Sequence, residues 1–383
     1  MPSRRHVLAL LAATPFAASC GDNLPDPVAA WRSPGAGEAD PRRFALAHAI
    51  LAPNPHNTQP WLVDLIGDEE IVLHADLERL LPATDPYDRQ IILGCGAFLE
   101  LLDLAVRANG RRAEITLWPE GEPQPRLDQR PVAHVRLVPD ATTKDALFDH
   151  IQARRTNREP FNNRPVDEAT LAAITNAALP QTPGGSGSPA PWRIDWTRSR
   201  DQLTALRALA WNGFNTECTT PGAYQESVDL MRIGGAEIAR HRDGIALEGP
   251  MIEFAKTVGL LNRRVLADTS NRFTRDGIDA WRPLAESAPA YVWLVSFENT
   301  RAAQVAAGRA YARLNLAATE QGLALHPWSQ TLQEYPEMAE LYAEAKRLTG
   351  ASENETAQML ARVGYGETIR PAPRRGLSEH IRA

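Results

Sequence analysis

The sequence has little cysteine, no excess of positive charge and no long apolar run. Its 383 residues include three cysteines, which are too few for a disulfide framework. Lys and Arg number 41 against 47 Asp and Glu, so the formal charge of −6 provides no basic field for a nucleic-acid partner. The absence of an apolar run of about 18 residues predicts no membrane-spanning helix.

Several catalytic motifs are also missing. No G-x-G-x-x-G fingerprint follows a predicted strand, because Gly94 and Gly96 lack the third glycine. The nine histidines do not have the spacing of zinc ligands, and no G-x-S-x-G nucleophile elbow occurs. The composition, 43% hydrophobic and 23% charged, is that of a globular protein, and the length suffices for two domain-sized units.

The first 19 residues have the pattern of an export signal. Arg4 and Arg5 precede a short apolar stretch, residues 7–13, and small residues follow it. The paired arginines are typical of a twin-arginine signal, and a Sec signal is the alternative. We therefore expect a periplasmic or other extracytoplasmic location, with the twin-arginine export machinery as a partner.

Cys20 is a candidate for a lipid anchor. Residues 17–20 resemble a lipobox in which the cysteine is acylated, and ordinary cleavage after Ser19 is the alternative. Residues 20–42 contain several prolines and glycines and are predicted to form a flexible tether. Cys95 and Cys218 could pair in an oxidising compartment, but the apolar surroundings of Cys95 favour a free thiol in the core.

Two segments of the sequence resemble each other. Residues 96–110 and 308–322 each begin and end with glycine at the same spacing, and leucines recur at matching positions between them. Both segments are predicted to be helices with a glycine after the last turn. Their small residues would let another backbone or a flat ring approach closely. Ordinary packing of helices rich in glycine and alanine is the alternative explanation.

The rest of the chain alternates between strand-like and helix-like segments. We assign it to the α+β class, with central mixed or antiparallel sheets flanked by helices, and divide it into two halves, residues 43–145 and 146–383. The nearly all-apolar run at 291–297 is predicted to lie centrally in a sheet. Other predicted strands cover 61–66, 70–75, 113–118, 132–138 and 191–197, and predicted helices lie near 143–154, 167–178, 200–216, 247–262 and 334–348.

The densest group of polar residues is the loop at residues 52–61, with the sequence A-P-N-P-H-N-T-Q-P-W. Prolines stiffen this loop, so its amide donors and acceptors are held in place with little entropy left to lose. Such a loop suits a planar heterocycle with alternating N–H and C=O groups along its edge. An Asx-type turn that only caps neighbouring elements is the alternative.

Two further clusters contain arginine. Residues 154–158 have the sequence R-R-T-N-R, and three arginines with a hydroxyl favour phosphate binding through charge-assisted hydrogen bonds. A solvated basic helix end is the alternative interpretation. Residues 370–376, R-P-A-P-R-R-G, form the second cluster, for which a disordered basic tail is the alternative.

Together, these three clusters resemble the nitroreductase family of flavin proteins. The loop at 52–61 is similar to that family's A-P-S-x-x-N-x-Q-P-W, with Asn54 and Pro55 in place of the usual Ser pair. Residues 154–158 are similar to its R-R-S-x-R phosphate motif, with Thr156 replacing Ser. The helix that ends at Gly322 and the C-terminal Pro-Arg-Arg pattern also match. The resemblance covers roughly residues 43–383.

The order of the motifs departs from that of the ordinary family. Ordinary members are homodimers with the arginine motif first, whereas here it follows the loop. This order resembles the internally duplicated branch typified by the mycobacterial Acg-type proteins, in which one chain imitates the dimer. The resemblance implies a pseudo-dimer with one FMN site. Its implied ligands are Arg154, Thr156 and Arg158 for the phosphate and ribityl chain, with Arg374 and Arg375 assisting; Asn54, Pro55, His56 and Asn57 for the isoalloxazine, with Gln59 supporting; and His326–Gln330, including Ser329, near the reactive edge.

The resemblance implies an exported FMN oxidoreductase that reduces nitroaromatic or quinone-type acceptors. It names no catalytic side chain, and the electron donor is either NAD(P)H or a periplasmic donor, because NAD(P)H is scarce outside the cytoplasm. A protein that binds and sequesters FMN with little turnover is the alternative. Oxygen-dependent breakdown of the flavin is a third reading. A segment over residues 249–262 is expected to form a lid over the ring.

Overall fold

The computed structural model describes residues 24–140, 144–179 and 190–382. The predicted export signal and Cys20 lie outside these residues. Two four-stranded antiparallel sheets dominate the fold, one in each predicted half, and helices flank both sheets. The strands are β1 (Trp61–Ile66), β2 (Glu70–Ala75), β3 (Arg111–Leu117), β4 (Ala133–Pro139), β5 (Trp192–Thr197), β6 (Met231–Ile233), β7 (Ile245–Leu247), β8 (Ala290–Ser296), β9 (Ala324–Pro327) and β10 (Thr356–Gly364).

The predicted α+β class is confirmed, and the helices complete the layers. No helix of the described residues has the length and apolarity needed to cross a membrane. The helices are α1 (Pro41–Ala49), α2 (Arg89–Ala108), α3 (Glu168–Ala177), α4 (Arg200–Thr219), α5 (Pro221–Leu230), α6 (Gly235–His241), α7 (Pro250–Thr257), α8 (Arg263–Ala267), α9 (Arg272–Asp279), α10 (Arg282–Glu286), α11 (Arg301–Glu320) and α12 (Ala339–Leu348).

The two sheets have the same topology. In each half the chain runs through two strands, a long helix and two more strands, and the spatial order is first, second, fourth, third. The order is β1-β2-β4-β3 in one sheet and β5-β8-β10-β9 in the other. The halves differ mainly between their first two strands, where the first half has a tight turn at 67–69 and the second inserts residues 198–289. That insertion carries α4 to α10.

Local sequence explains the central elements. Every residue of β8 is buried, as expected of an apolar strand with both faces covered. α11 begins after Thr300, whose hydroxyl accepts the N–H of Ala303, a favourable N-cap. α1 begins in the same way after Asp40, with Pro41 at its first position, where the missing N–H carries no penalty.

The two similar segments of the sequence are the central helices α2 and α11, and they cross at a pair of glycines. Both helices have 20 residues, and Gly96 and Gly308 are each the eighth. A Cβ at Gly96 would lie 2.2 Å from the carbonyl oxygen of Val305, and one at Gly308 would lie 2.1 Å from that of Leu93. The helix backbones are therefore in direct contact, which only glycine permits at these positions.

The first residue of each central helix extends into the opposite half. Arg89 begins α2 and donates to the carbonyls of Leu332 and Ala357, both in the second half. Arg301 begins α11 and donates to the carbonyls of Tyr87 and Pro125, both in the first half, at 2.7 and 2.6 Å. These reciprocal contacts bind the halves to each other where the two helices begin.

A buried ionic network reinforces the crossing. Glu100 of α2 accepts hydrogen bonds from Arg309 and Arg313 of α11 at 2.7 and 2.9 Å. Burial disfavours the carboxylate, but the two arginines outweigh it and hold the pKa of Glu100 below its usual value. Removing one member would leave an uncompensated charge in the core.

Two segments differ from the sequence predictions. The described part of the predicted tether is packed rather than free, because Trp31 is buried and donates through Nε1 to the carbonyl of Ala372 at 2.8 Å. The C-terminal residues, predicted to belong to the second half, lie against the first: Val63 of β1 exchanges backbone hydrogen bonds with His380 and Arg382. The first described segment and the C-terminal residues thus both contact the half to which they were not assigned.

The internal cysteines do not form a disulfide. Cys95 lies in α2 and Cys218 in α4, and both are buried free thiols. Burial raises the pKa of Cys95 to about 12, so this thiol stays protonated. The free core thiol favoured by the sequence around Cys95 is confirmed, and the alternative of pairing is wrong.

Gly308→Ala tests the crossing. We expect it to lower the free energy of unfolding by about 1–3 kcal/mol, because the new methyl group meets backbone that cannot yield without separating the helices. Gly277→Ala is the matched control, since it lies inside α9 and a Cβ there meets no atom within 4 Å. The control should gain about 0.5–1 kcal/mol from helix propensity. Equal effects in urea unfolding would contradict the close contact.

Candidate functional site

The polar loop between α1 and β1 is folded back on itself. Asn54 closes it, because its Oδ1 accepts the N–H of Gln59 at 2.8 Å and its Nδ2 donates to a carbonyl two residues earlier at 3.1 Å. His56, Asn57 and Gln59 have positive φ values of 46°, 55° and 52°. Such a backbone costs about 1–3 kcal/mol per non-glycine residue, so other contacts must hold it. We call residues 54–59 the Asn54–Gln59 loop.

The second half supplies those contacts. Gln59 is fully buried; its Nε2 donates to the carbonyl of Arg242 and its Oε1 accepts the N–H of Arg375, both at 2.9 Å. The carbonyl of Asn57 accepts the N–H of Gly244 at 3.1 Å. The loop belongs to the first half in sequence, yet two segments of the second half fix its shape.

Four arginines lie together beside this loop and form the arginine cluster: Arg154, Arg155, Arg158 and Arg374. Arg374 connects the cluster to the loop, because its Nη1 donates to Oδ1 of Asn57 and its Nη2 to the carbonyl of Ala52. Burial, and then the charges of the other three, hold the pKa of Arg374 well below its usual value. Among the described residues, no carboxylate forms an ion pair with any of the four.

The cluster contains donors without partners. Arg154 is only 2% exposed, yet within the described ranges its Nε and Nη1 have no hydrogen-bond partner, and burial lowers its pKa to about 10. Arg158 is exposed to solvent, although desolvation by the surrounding protein lowers its pKa. Unpaired like charges and unsatisfied donors favour an anion with several acceptor oxygens, such as a phosphate.

Trp31 supports the cluster from the N-terminal segment. Its ring centroid lies 5.6, 5.0 and 5.4 Å from the guanidinium carbons of Arg154, Arg155 and Arg374. Cation–π attraction of this kind offsets part of the repulsion among the arginines. The sequence analysis missed Trp31; the available signal was a lone tryptophan in a segment otherwise rich in proline and glycine.

A second group of partly or fully buried residues has polar atoms without partners. α2 contacts the loop at Gly94, where a Cβ would lie 3.2 Å from that of Asn54. At its first residue, Arg89, the same helix contacts the turn after β9. These three segments carry the unpartnered atoms, which could bind the edge of a planar heterocycle. Among the described residues they include Nδ1 of His56, Nε2 of Gln90, Oε1 of Gln330 and Oγ1 of Thr331.

Three further predicted residues take up positions around the site. Pro55 is half-buried in the Asn54–Gln59 loop, and Thr156 is half-buried in the segment that carries the arginine cluster. Ser329 is half-buried at the start of the turn after β9, where its carbonyl accepts the N–H of Leu332 at 2.9 Å. Gln90 and Thr331 were missed, because neither belongs to a recognisable motif.

Arg375 does not join the arginine cluster. Its Nη2 donates to the carbonyl of Gln59 at 2.9 Å and lies 3.2 Å from Nδ1 of His380. Burial, and then the charge of Arg79, lower its pKa to about 10. These contacts support the loop, whereas the phosphate role implied for Arg375 stays a prediction; its Nε has no partner among the described residues.

Comparison with known proteins identifies the family. Residues 151–365, more than half of the chain, match the model described as the Nitroreductase family. The chain belongs to the nitroreductase family. Its two antiparallel sheets and flanking helices are a nitroreductase-like α+β fold. The matched segment includes the arginine cluster except Arg374, whereas the Asn54–Gln59 loop precedes it.

Relatives from Mycobacterium tuberculosis resemble most of the chain. One protein of strain CDC 1551, provisionally named an NAD(P)H nitroreductase, is 27% identical over 351 residues, which cover 90% of this chain and 92% of the relative. The Acg protein of the same strain is 33% identical over 123 residues, or 32% of this chain and 36% of Acg. The FMN-dependent nitroreductase NfnB of Mycobacterium smegmatis, solved with NADPH, is 22% identical over 61% of this chain and 96% of its own, with a TM-score of 0.37.

Arg154→Met tests whether the cluster is electrostatically frustrated. We expect the ligand-free variant to be more stable than the wild type by about 1–4 kcal/mol in urea unfolding, because it removes a buried charge that has no counter-ion. Inorganic phosphate should stabilise the wild type and have less effect on the variant. Arg164→Gln is the matched control: this exposed arginine follows closely in sequence and stacks on Tyr365. A clear loss of stability in Arg154→Met would contradict the interpretation.

Proposed function

We propose that the protein is an exported FMN-dependent oxidoreductase that reduces nitroaromatic, quinone-type or similar electron-poor acceptors. The observation that carries the proposal is the arginine cluster, whose unpaired charges lie beside a strained polar loop from the other half. FMN combines a phosphate with a planar ring, and these two surfaces suit its two ends. When bound, FMN would supply the hydride and electron-transfer chemistry.

The residues present fit the phosphate end. Arg154 would bind it through Nε and Nη1, the two donors that have no partner among the described residues. Arg158, which is exposed to solvent, would add a second charge, and Arg374 would contribute mainly its field because its own donors already bind Asn57 and two nearby carbonyls. Charge-assisted hydrogen bonds of this kind are worth roughly 1.5–3 kcal/mol each. Thr156, between Arg154 and Arg158 in sequence, is proposed to assist.

The residues present also fit the ring. Its pyrimidine edge alternates between N–H and C=O groups, and the unpartnered atoms of Gln90, Gln330 and Thr331 include both donors and acceptors. Preorganised donors in a buried site stabilise negative charge more strongly than water does. They would therefore favour the reduced, anionic flavin. Asn54 and Gln59 would act indirectly, by holding the loop.

We infer that the chain is an internal duplication in which one polypeptide imitates a dimer. The identical strand order of the two sheets, the glycine pairs of α2 and α11 and the reciprocal reach of Arg89 and Arg301 all support this. The polar loop occurs only in the first half and the R-R-T-N-R segment only in the second. One complete site per chain is therefore expected, with the second pseudo-site degenerate.

NAD(P)H is the electron donor that the relatives support, because two of them carry NAD(P)H nitroreductase in their provisional names. The protein is proposed to be exported, and NAD(P)H is scarce outside the cytoplasm. A second electron donor must therefore be considered. A small periplasmic reductant is the alternative. An anaerobic titration distinguishes the two, because only a competent donor bleaches the flavin.

Purified protein should carry a flavin band that NADPH bleaches under anaerobic conditions and that a nitroaromatic compound restores. A flavin band that dithionite bleaches and NADPH does not would favour flavin sequestration or a periplasmic donor. Protein that is purified without flavin and also binds none on reconstitution would contradict the FMN assignment.

The control for this titration uses the cluster. Arg154→Met and Arg158→Gln should each bind FMN at least about tenfold more weakly, since each loses a charge-assisted contact. Arg164→Gln should bind it as the wild type does, because this side chain lies outside the cluster. Equal FMN affinity in all three variants would contradict the phosphate assignment, whatever the result of the titration.

We also propose that residues 1–19 direct twin-arginine export and that Cys20 carries a lipid anchor. Support comes from the sequence pattern alone, since these residues lie outside the described ranges. Replacing Arg4 and Arg5 by lysine should abolish export, because the twin-arginine route requires the arginine pair. Measurement of the periplasmic and cytoplasmic fractions checks this, and unchanged export would indicate a Sec signal. Mass spectrometry of the mature N-terminus decides whether Cys20 is acylated.

A further inference from the structure

Glu217 is a buried carboxylate in the insertion that only the second half contains. It lies near the end of α4 and is 6% exposed. Its Oε1 accepts the hydroxyl of Ser227 at 3.0 Å, and its Oε2 accepts Nε2 of Gln333 at 2.8 Å. Neither partner carries a charge, and within the described residues no arginine or lysine forms an ion pair with Glu217.

Among the described residues, the basic side chain that approaches this carboxylate is His56 of the Asn54–Gln59 loop. Its Nε2 lies 3.9 Å from Oε1 of Glu217, a distance at which attraction between the groups acts without a direct hydrogen bond. Cys218 and Tyr335 are the other titratable neighbours. Burial, and then the charge of Glu217, raise the pKa of both, so both stay neutral. A buried carboxylate is thus directed at one imidazole.

The pair is held rigidly, although its members come from different halves. α5, which carries Ser227, is fastened to the first half by Glu226, whose carboxylate accepts the N–H groups of Ala83 and Thr84 at 2.8 and 3.0 Å. His56 itself is held at a φ of 46°. Strain of this kind persists only where surrounding structure enforces it, and it concentrates at functional sites.

The second nitrogen of His56 is free to act. Its Nδ1 is buried and has no hydrogen-bond partner among the described residues. Resting on the function proposed above, we propose that Glu217 is a positioning residue that holds His56 so that the imidazolium Nδ1–H donates a proton to the acceptor as it is reduced. A carboxylate that fixes the orientation and tautomer of a histidine is an established catalytic arrangement.

The proton balance of the reaction requires such a donor. A quinone-type acceptor becomes a hydroquinone by taking up two electrons and two protons. The cofactor, when bound, would supply a hydride, which carries the electron pair and one proton, and the second proton would pass from Nδ1 of His56 to the developing oxyanion. His56 is left neutral, with its remaining proton on Nε2 toward Glu217, and Nδ1 regains a proton from water.

The test compares Glu217→Gln, His56→Asn and the double variant. Asparagine is chosen because it tolerates the positive φ of position 56. Asp229→Asn is the matched control, because this exposed carboxylate lies on the same helix as Ser227 and its Oδ1 accepts Nε2 of Gln225 at 2.8 Å. Flavin reduced by dithionite is mixed with 1,4-benzoquinone in single turnovers, so the natural donor does not matter. Flavin affinity is measured in parallel.

We expect His56→Asn to slow quinone reduction by about 10²-fold, the lower range for loss of general acid catalysis. Glu217→Gln should slow it by at least about tenfold, and the double variant should be no slower than His56→Asn alone. Rates are compared among flavin-loaded proteins, and the rate in Asp229→Asn should stay unchanged. A loss that adds fully in the double variant, an unaffected Glu217→Gln, or the same loss in Asp229→Asn would overturn the proposal.

A second measurement does not depend on the cofactor. In the flavin-free protein, long-range ¹H–¹⁵N spectra report which ring nitrogen of neutral His56 carries the proton. The wild type should hold it on Nε2, and Glu217→Gln should show a mixture of tautomers. The same tautomer in both proteins would overturn the positioning role. Failure of the wild type to bind flavin would instead refute the proposed function. The spectra would still show whether Glu217 fixes the tautomer of His56.

Discussion

The direct contact of α2 and α11 at Gly96 and Gly308 is the constraint on which the rest of the molecule depends. It brings the backbones of the two halves together and leaves one sheet associated with each half. With the halves fixed in this way, a loop from one can meet an arginine segment from the other. The insertion in the second half, the first described segment and the C-terminal residues add further contacts between the halves. The candidate site therefore arises from the pairing of the halves rather than from either alone.

Buried charges at the centre of the molecule have ion-pair partners, whereas several described groups of the candidate site have none. Glu100 and its two arginines form a paired network in the core. In the arginine cluster, by contrast, like charges and unpartnered donors lie together among the described residues, next to a loop with three strained residues. Local instability of this kind persists where a ligand compensates for it. The contrast is the physical reason for placing an anionic, planar ligand at this position.

The sequence predicts what is determined locally. β1 and β2 have the predicted bounds, because alternation and a tight turn define them, and the twin glycine helices are recognisable from spacing. Contacts between distant segments are not predictable in this way. Trp31 has the carbonyl of Ala372 as its partner, 341 positions away, so its segment was predicted to be a free tether. Arg374 and Arg375 are adjacent, yet only Arg374 joins the cluster, because Arg375 donates to the carbonyl of Gln59 instead.

The stoichiometry of FMN binding to the purified monomer tests the central claim most directly. Flavin-free protein would be titrated with FMN while its mass in solution is measured by analytical ultracentrifugation. A duplicated chain with one complete site predicts one FMN for each 42.1 kDa monomer, with no change in assembly. Two FMN per monomer would show that both pseudo-sites are functional. One FMN per pair of chains, or binding only on dimerisation, would contradict the account of a single chain that imitates a dimer.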